Sequence, residues 1–557
     1  MRYNNTKVYD VIIIGGGATG AGTARDCAMR GLSTLLIERY DFTAGATGRN
    51  HGLLHSGARY AVTDQESATE CIIENRILRK IARHCVEDTG GLFITLPEDD
   101  LNYQQKFVDS CTLAGIPTET ISPREALILE PSVNPALIGA VKVPDGAVDP
   151  FRLTTANVID AKMHGAEIIT YNEVIGFLKK GTQITGVRYR SSLNGTEGVA
   201  QSKIVINAGG IWGAGIAQLA GVKINMFPAK GSLLIFGHRV NNMVINRCRK
   251  PANADILVPG DTICLIGTTS DRVPYDQIDR MEVTADEVDI LMREGQLLAP
   301  ELARTRILRA YAGVRPLVAS DDDPSGRSIS RGIVCLDHSE RDGLDGFITI
   351  TGGKLMTYRL MAEWATDMAC KKLGIDAKCE TATTPLPGSE EVKEVKRKRR
   401  QRAKQYIKDF SYGRYGKKSH VIELSTEQKA AAERHGTLSK RIVNKNYGDE
   451  ALVCECEQVS VGEVNYAIEE LHVHNLINLR RRTRMGMGTC QGGICACRAA
   501  GILGRAGGCP QESLKDLKVF IGERWKGMSP VAWGETLEEM QFMAWLYQGV
   551  GGIDLKQ

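Results

Sequence analysis

Three glycines follow the first apolar run of the chain at a spacing typical of a dinucleotide-binding turn. Gly15, Gly17 and Gly20 form the pattern G-x-G-x-x-G directly after the run DVIII, and Glu38 ends the next apolar run. Gly15 permits a tight turn, Gly17 lets the backbone approach a pyrophosphate, and Gly20 lets a helix pack closely on the strand. Glu38 can accept hydrogen bonds from ribose hydroxyls. The pattern predicts a bound dinucleotide and leaves open whether it is FAD or NAD.

A polar stretch, TGRNHGLLHSGARY (47–60), follows the second strand of this unit and is broken by glycines. Because ligands of such sheets bind outside the carboxyl ends of the strands, this stretch suits an isoalloxazine ring and a small anionic substrate. Its two histidines, His51 and His55, are candidate site residues. Ordinary hydrogen bonding within a loop is the alternative for both.

Five of the 15 cysteines are clustered within 44 residues near the carboxyl terminus: Cys454, Cys456, Cys490, Cys495 and Cys497. A large chain without an export signal is expected to hold reduced thiols or metal thiolates rather than disulfides. The C-x-C and C-x4-C pairs place thiolates on two turns, which suits an iron–sulfur cluster. A structural zinc ion is the alternative. Cys497 is spare, or replaces Cys495 as a ligand.

The elements that position these residues alternate between strand and helix patterns. They predict an α/β fold with a discontinuous Rossmann-like FAD-binding domain, a mixed-sheet substrate domain and a small C-terminal iron–sulfur domain. Glycine-rich turns recur after strands at 203–213 and 347–365. The expected FAD pieces are 8–65, 150–220 and 308–370, and the expected substrate pieces are 70–145 and 225–305, all within 1–375. A basic polar connection (376–450), the cysteine domain (451–505) and a tail (506–557) follow.

The charge of the chain is nearly balanced, with a net +4 over 557 residues. The run KEVKRKRRQRAK (393–404) alone contributes +7, which leaves −3 elsewhere. Nucleic acid is therefore not an expected general partner. The basic run is either an exposed helix or a contact for anionic lipid headgroups. Neither a signal peptide nor a run of eighteen apolar residues is present, so we expect a cytoplasmic location.

Two further segments favour packing or docking roles. The stretch 531–550 places apolar residues at helical spacing, which predicts packing on the chain's own core or, alternatively, docking on a partner protein or membrane. These residues are Trp533, Leu537, Met540, Met543 or Ala544, and Tyr547. The run LRRRTR (479–484) precedes Cys490 and is a candidate for docking a partner, neutralising cluster charge or forming a solvated helix face.

Six motifs together resemble the FAD-dependent glycerol-3-phosphate dehydrogenases over residues 1–365. They are GGGATGAGTARDCAMRGL, TGRNHGLLHSGARY, NAGGIWG, IGTTSDR (266–272), YAGVRPL (311–317) and TGGKLMTYR (351–359). The cysteine segment resembles the ferredoxin-like domain of bacterioferritin-associated ferredoxin, which carries one [2Fe–2S] cluster. The whole chain is thus similar to the anaerobic members of the family.

The resemblance implies roles for individual residues. Arg59, Arg315 and Lys354 match the family's substrate-binding positions, with Tyr60 and Tyr358 as hydroxyl partners. In aerobic relatives a histidine follows the serine of the motif matching AKGSLLIF (229–236), where this chain has Leu233. His55 is then the candidate base, with Lys354 or a water as alternatives. The implied FAD contacts are Gly15, Gly17, Gly20, Glu38, Thr47, Asn50, His51, Gly209, Gly352, Gly353, Lys354 and Thr357, and the implied cluster ligands are Cys454, Cys456, Cys490 and Cys495.

The resemblance further implies oxidation of sn-glycerol 3-phosphate to dihydroxyacetone phosphate by hydride transfer to FAD. Electrons would pass through the cluster to a B subunit, to a cluster-rich membrane-anchoring C subunit, and to a quinone, at the cytoplasmic face of the inner membrane. FMN belongs to the cofactor set implied for the assembled complex. Two alternatives stay open: a flavin-dependent subunit that oxidises an amino acid or a 2-hydroxy acid, and a redox-sensing module that binds nucleic acid.

Overall fold

The structure, a computed structural model, describes residues 7–318, 332–390, 424–442, 446, 448–507 and 510–554. The basic run 393–404 lies outside the described residues. Across the described ranges, no helix combines the length and the apolar character that crossing a membrane requires.

The strands alternate with helices through the first two thirds of the chain. Their bounds are β1 Val8–Ile14, β2 Thr34–Ile37, β3 Leu53–Leu54, β4 Val86–Glu87, β5 Gly91–Thr95, β6 Glu119–Ile121, β7 Gly139–Val143, β8 Gly146–Val148, β9 Glu167–Ile169, β10 Asn172–Lys180, β11 Gln183–Ser191, β12 Glu197–Asn207, β13 Met226–Phe236, β14 Val244–Arg247, β15 Ile256–Gly260, β16 Ile263–Gly267, β17 Asp271–Arg272, β18 Ile307–Val318, β19 Ile333–Asp337, β20 Phe347–Gly352, β21 Leu452–Cys454 and β22 Val459–Ser460.

The helices dominate the last third of the chain. Their bounds are α1 Ala18–Met29, α2 Gln65–Ile81, α3 Leu101–Leu113, α4 Pro123–Leu129, α5 Pro150–Met163, α6 Gly213–Leu219, α7 Ala285–Leu298, α8 His338–Asp342, α9 Tyr358–Leu373, α10 Thr426–His435, α11 Val461–Glu470, α12 Leu476–Thr483, α13 Cys495–Gly507, α14 Pro510–Met528 and α15 Gly534–Ala544.

The first sheet has eight strands and is assembled from distant parts of the chain. Its order is β10-β11-β12-β1-β2-β9, with β20 beside β12 and β19 beside β20. The strands β1, β2, β9, β12 and β20 run parallel. Alternate residues of β1 enter two separate cores: Val11 and Ile13 pack on the side of α1 and α9, whereas Ile12 and Ile14 pack on the opposite face. Burial on both faces explains why the strand reads as a continuous apolar run.

The second sheet has nine strands in a mixed arrangement, in the order β17-β13-β16-β15-β14-β5-β7-β6. The ninth strand, β18, pairs antiparallel with β13 from Met226↔Val318 to Phe236↔Ile307. This pairing corrects the expected FAD piece 308–370, because its first strand belongs to the second sheet. The reason is physical: β18 is long enough to satisfy its backbone along the whole of β13, a partner that the sequence pattern does not reveal.

The cysteine region forms its own core, and the carboxyl-terminal tail contributes to it. Met543 and Tyr547 are buried together with Val453, Leu479 and Phe520 in one cluster. Met540 is also buried, whereas Trp533 and Leu537 are exposed. The apolar residues of the stretch 531–550 therefore pack on the chain's own core along part of the stretch and face solvent along the rest.

Candidate active site and cluster site

A cavity of about 440 Å³ lies at the carboxyl ends of the parallel strands. It is lined by ten of the twelve residues that the sequence implicates in FAD binding: Gly15, Gly17, Glu38, Thr47, Asn50, His51, Gly209, Gly352, Gly353 and Lys354. These residues come from four separate segments of the chain. The fold therefore brings most of the predicted set together around one space.

The two remaining residues of that set support the cavity from behind. A Cβ atom on Gly20 would lie 1.9 Å from the carbonyl oxygen of Gly15, so only glycine lets α1 pack this closely on the turn. The Thr357 hydroxyl accepts a hydrogen bond from the backbone N–H of Lys354 at 2.9 Å and thereby fixes the turn before α9. Both are positioning residues rather than lining residues.

The glycine turn itself fits a pyrophosphate group. Gly15 has φ +112, and a Cβ there would lie 2.6 Å from the Ala208 carbonyl oxygen, so a side chain is excluded by both conformation and space. Ala18 and Thr19, the first residues of α1, line the same cavity, and the Ala18 N–H donates to the Thr47 hydroxyl at 3.0 Å. Exposed N–H groups at a helix start are the donors that phosphate oxygens require.

Glu38 is held by the backbone before any ligand contacts it. Its carboxylate accepts hydrogen bonds from the N–H groups of Gly16 at 2.5 Å and Tyr40 at 2.7 Å. Burial raises the pKa of this carboxyl group, and the two N–H donors act against that rise. Because each carboxylate oxygen has a second acceptor position, the side chain can still accept ribose hydroxyls.

A smaller pocket of about 120 Å³ adjoins the large cavity. The lining of both includes Asn50, His51, His55, Tyr60 and Arg315. Arg59 and Arg49 complete the charged wall of the smaller pocket. Arg49 is a residue that sequence reasoning missed, although it stands in the TGRNHG motif between two predicted contacts.

Two arginines of the small pocket are anchored differently. Arg59 donates to Asp255 at 3.1 Å and to the Ala252 carbonyl at 3.2 Å, and its buried Nη1 has no hydrogen-bond partner among the described residues. Burial alone would raise the pKa of Asp255, but the charges of Arg59 and Arg249 bring it below its usual value. The paired carboxylate thus keeps Arg59 in place while the donors of its Nη1 stay unsatisfied among the described residues.

Arg315 projects from β18 into the pocket. Its guanidinium donates to the Thr269 carbonyl at 3.0 Å and to the Thr268 hydroxyl. Arg59 lines the same pocket. Two guanidiniums that converge on a small space are suited to a phosphate dianion.

Tyr60 lines both cavities and Lys354 lines the larger one, whereas Tyr358 does not serve as predicted. The ammonium of Lys354 lies 4.7 Å from the centre of the Tyr60 ring. The Tyr358 hydroxyl accepts a hydrogen bond from Asn157 at 2.9 Å inside the core, and burial raises its pKa to about 12. The prediction that Tyr358 supplies a hydroxyl to the substrate is therefore wrong, because this residue begins α9 and directs its hydroxyl towards α5.

His55, the candidate base, lines both cavities, as does His51. Only 7% of it is exposed, and its ring centre lies 5.4 Å from that of Tyr60 and 5.8 Å from that of His51. Leu233 is fully buried in β13, opposite Gly267. The position at which aerobic relatives carry a histidine thus holds an apolar contact here.

The four predicted cluster ligands meet in a ring. Cys454 interacts with Cys456 and Cys495, and Cys490 interacts with the same two residues. The interactions with Cys454 and Cys490 lower the pKa of the Cys456 thiol. The described residues hold no group of three or more His, Cys, Asp or Glu side chains arranged around a single ion. A ring of four thiols fits a two-iron cluster, in which each iron takes two thiolates.

Cys497 stands outside this ring. It is exposed at the first turn of α13, and its thiol lies near Tyr547. Cys495 is fully buried and contacts Met485. The geometry favours Cys495 over Cys497 as the fourth ligand.

The arginine run 479–484 joins the cysteine region to the rest of the chain. Arg482 donates to Asp41 at 2.5 Å, and Arg484 forms ion pairs with Asp261 at 2.7 Å and Glu457 at 3.0 Å. Both arginines are buried. The alternative that this run forms a solvated helix face is therefore wrong for Arg482 and Arg484. Acidic residues of the flavin and substrate segments cover both side chains.

Comparison with known proteins gives the class of protein. Residues 10–359 match the family described as FAD dependent oxidoreductase, and residues 452–505 match the BFD-like [2Fe-2S] binding domain. The fold and the two sites thus define a flavin-dependent oxidoreductase with an attached [2Fe–2S] domain. The expected cofactors, FAD and [2Fe–2S], and the expected fold class are confirmed.

Three relatives give the particular family. The proteins named as the A subunit of anaerobic glycerol-3-phosphate dehydrogenase are 60% identical to this chain in Haemophilus influenzae, over 98% of this chain and 93% of the relative, and in Escherichia coli strain K12, over 100% and 99%. The protein named as the A1 subunit in Haloferax volcanii is 42% identical over 96% and 89%. The chain belongs to the family of anaerobic glycerol-3-phosphate dehydrogenase A subunits.

A solved structure supports the fold. The glycerol-3-phosphate dehydrogenase from Bacillus halodurans complexed with FAD superposes with a TM-score of 0.67 at 20% identity, over 94% of this chain and 96% of that chain. The similarity extends beyond the two sheets to the helical carboxyl-terminal part.

Proposed function

We propose that this chain oxidises sn-glycerol 3-phosphate to dihydroxyacetone phosphate in the 120 Å³ pocket beside the flavin cavity. One observation carries the proposal: Arg59 and Arg315 converge on a pocket that shares its lining with the flavin cavity through His55 and Tyr60. The highly similar relatives are named for dehydrogenation of this substrate.

In this proposal the two arginines bind the phosphate of the substrate. The guanidinium edges that face the pocket donate charge-assisted hydrogen bonds, and the ion pair with Asp255 fixes the position of Arg59. Lys354 and Tyr60 close the side nearest the flavin cavity. The phosphate is thus anchored, which orients C2 of the substrate towards the flavin cavity.

His55 is proposed as the base that takes the proton of the C2 hydroxyl. It is nearly buried and lies in the wall common to both cavities, so it can reach a hydroxyl directed at the flavin. Bound FAD would accept the hydride from C2. Lys354 or an ordered water is the alternative proton acceptor.

The residues proposed to hold FAD are those that line or support the 440 Å³ cavity. Gly15 and Gly17 would admit the pyrophosphate, Glu38 would bind the ribose, and Gly20 and Thr357 would hold the surrounding turns. Cys454, Cys456, Cys490 and Cys495 are the proposed ligands of the cluster, which supplies one-electron steps.

We further propose the domain limits 1–375, 376–450, 451–505 and 506–557, with β18 assigned to the substrate sheet. Since the similar proteins are named as A subunits, other subunits are expected. Transfer of electrons to a B subunit, to a membrane-anchoring C subunit, and to a quinone, with peripheral attachment at the cytoplasmic face of the inner membrane, remains part of this proposal. Support comes from the exposed aromatic residues of the tail, Trp533, Phe542 and Trp545.

The test is a visible spectrum of anaerobically purified protein before and after addition of glycerol 3-phosphate. We expect the flavin band to bleach and the cluster bands to change under substrate. Bleaching by a 2-hydroxy acid or an amino acid, but not by glycerol 3-phosphate, would overturn the proposal in favour of the alternative oxidising subunit. An Arg315→Gln variant should need a much higher concentration of glycerol 3-phosphate for the same bleaching.

A further inference from the structure

A second, much larger cavity of about 2210 Å³ lies between the flavin loop and the cysteine region. Asn50 and His51 line one end, and these residues also line the flavin cavity. Cys456 of the thiol ring and Glu523 of α14 line other parts of it. The cavity therefore extends from one proposed redox site to the other.

Three arginines in its wall have no partner among the described residues. The side chains of Arg49, Arg309 and Arg480 make no hydrogen bond or ion pair with any residue that the structure describes, and the Nε atoms of Arg309 and Arg480 are buried. Other arginines of the same cavity differ: Arg239 pairs with Glu87 and Arg484 with Asp261. Buried guanidiniums normally have carboxylates or carbonyls as partners.

The charges of these three side chains oppose one another. Burial lowers the pKa of Arg480 well below its usual value, and the charges of Arg309 and Arg481 add to the effect. Burial also lowers the pKa of Arg309 and of Arg49. Glu523, itself exposed, is the acidic residue that acts on all three. One exposed carboxylate leaves an excess of positive charge along this wall of the cavity.

We propose that Arg309 and Arg480, with Arg49 at the edge of the substrate pocket, form a second anion site that binds the phosphate dianion of a phosphorylated small molecule. Two or three guanidiniums present several N–H donors to one group, which suits the three terminal oxygens of a phosphate monoester. The space beyond the arginines exceeds what inorganic phosphate fills, so an organic group attached to the phosphate has room. The site goes beyond the proposed oxidation, which needs only the 120 Å³ pocket.

Calorimetric titration of inorganic phosphate into the full-length holoprotein tests the site. We expect two binding events in the unaltered protein, one in the substrate pocket and one at the arginines. The double variant Arg309→Gln, Arg480→Gln should lose one of them, with an affinity loss of about tenfold or more, because charge-assisted hydrogen bonds are removed. Lys526→Gln removes an exposed positive charge from the same cavity and should keep both.

The variant Arg315→Gln separates this inference from the proposed function. It should lose the event at the substrate pocket and keep the one at Arg309 and Arg480. If Arg315→Gln titrates as the unaltered protein does, the substrate assignment fails while the second site stands. If the double arginine variant titrates as the unaltered protein does, the second site is refuted.

Thermal unfolding gives a readout that distinguishes a ligand site from a structural role. In phosphate-free buffer, Arg480→Gln should unfold at the same or a higher temperature, since it removes an unpaired buried charge. A clear fall would show that Arg480 is a structural residue and would contradict the proposal. Phosphate should raise the melting temperature of Arg315→Gln, but not that of the triple variant Arg309→Gln, Arg480→Gln, Arg315→Gln, in which both sites are removed.

Parallel titrations with glycerol 3-phosphate and adenosine monophosphate distinguish the source of the phosphate. Tighter binding of the nucleotide to Arg315→Gln would assign the remaining cavity volume to an aromatic ring system. Equal binding of inorganic phosphate and both esters would limit the site to the phosphate group alone. Both results support the site, whereas binding that is insensitive to Arg309 and Arg480 refutes it.

Discussion

Arg482 of the cysteine region donates to Asp41 Oδ1 at 2.5 Å, and their side chains are only 0% and 3% exposed. Arg481 contacts the other oxygen of the same carboxylate at 2.9 Å. Asp41 lies just beyond β2, in the segment that leads to the flavin loop. This buried group of charges therefore links the segment that carries the cluster to the segment that carries the proposed flavin contacts.

Replacement of Asp41 by alanine should loosen this link. Two guanidiniums would lose their buried partner, and breaking such a pair typically costs about 3–5 kcal/mol. We expect the free energy of unfolding, followed in urea by cluster absorbance, to fall by an amount in this range. Glu197→Ala is the matched control, because its pair with Arg190 is about half exposed and should contribute little to stability. An unchanged urea midpoint for Asp41→Ala would show that the ion pairs do not hold the region.

His55→Asn should reduce turnover without loss of the flavin. The substitution removes the proposed base, and the loss of general base catalysis typically lowers kcat about 10²- to 10⁴-fold. Flavin absorbance per chain should stay normal. His238→Asn, which alters an exposed histidine, serves as the control and should leave kcat unchanged. Normal turnover in His55→Asn would show that the base is Lys354 or a water molecule rather than His55.

The partly buried His84 should contribute to a loss of stability in mild acid. Burial lowers the pKa of His84 to about 3, and the charges of His435 and Arg152 contribute. An unfolded histidine binds its proton near pH 6.5, so the unfolded state holds more protons between pH 6.5 and 3, and stability falls as the pH falls through that window. From pH 7 to pH 5 the expected loss is about 2 kcal/mol.

The check is a series of urea unfolding curves between pH 7 and pH 5. His84→Gln can still hydrogen-bond Ser389, which His84 contacts at 2.8 Å, but it cannot titrate. Its stability should depend less on pH than that of the unaltered chain, and His238→Gln should behave as the unaltered chain does. Parallel pH profiles for His84→Gln and the unaltered chain would contradict the assignment.

The glycine turn and the thiol ring are the features that can be predicted best from the sequence. Both depend on local spacing: Gly15, Gly17 and Gly20 lie within one turn and one helix start, and C-x-C and C-x4-C each place two thiols on a single turn. Such patterns are readable because the chemistry requires specific residue types close together along the chain.

The features that the sequence does not predict depend on contacts between distant segments. The strand β18 looks like any other apolar strand, and only its pairing with β13 assigns it to the second sheet. Arg309 and Arg480 are 171 positions apart in the sequence, and nothing in either segment shows that both lack a partner among the described residues of one cavity. The prediction for Tyr358 fails because a motif gives the position of a side chain but not its direction.

The spare cysteine allows the cluster site to be tested by single substitutions of neighbouring cysteines. Cys490→Ser should abolish the visible bands of the [2Fe–2S] cluster, because it removes a member of the ring that contacts Cys456 and Cys495. Cys497→Ser should retain these bands, since Cys497 is exposed and its thiol contacts Tyr547 instead. Iron and acid-labile sulfide per chain, measured under anaerobic conditions, give an independent count of the cluster. Flavin content should be unchanged in both variants, which separates loss of the cluster from general unfolding. If Cys497→Ser lost the cluster and Cys495→Ser kept it, the fourth ligand would be Cys497, and α13 would have to turn its first residues to present that thiol to the other three.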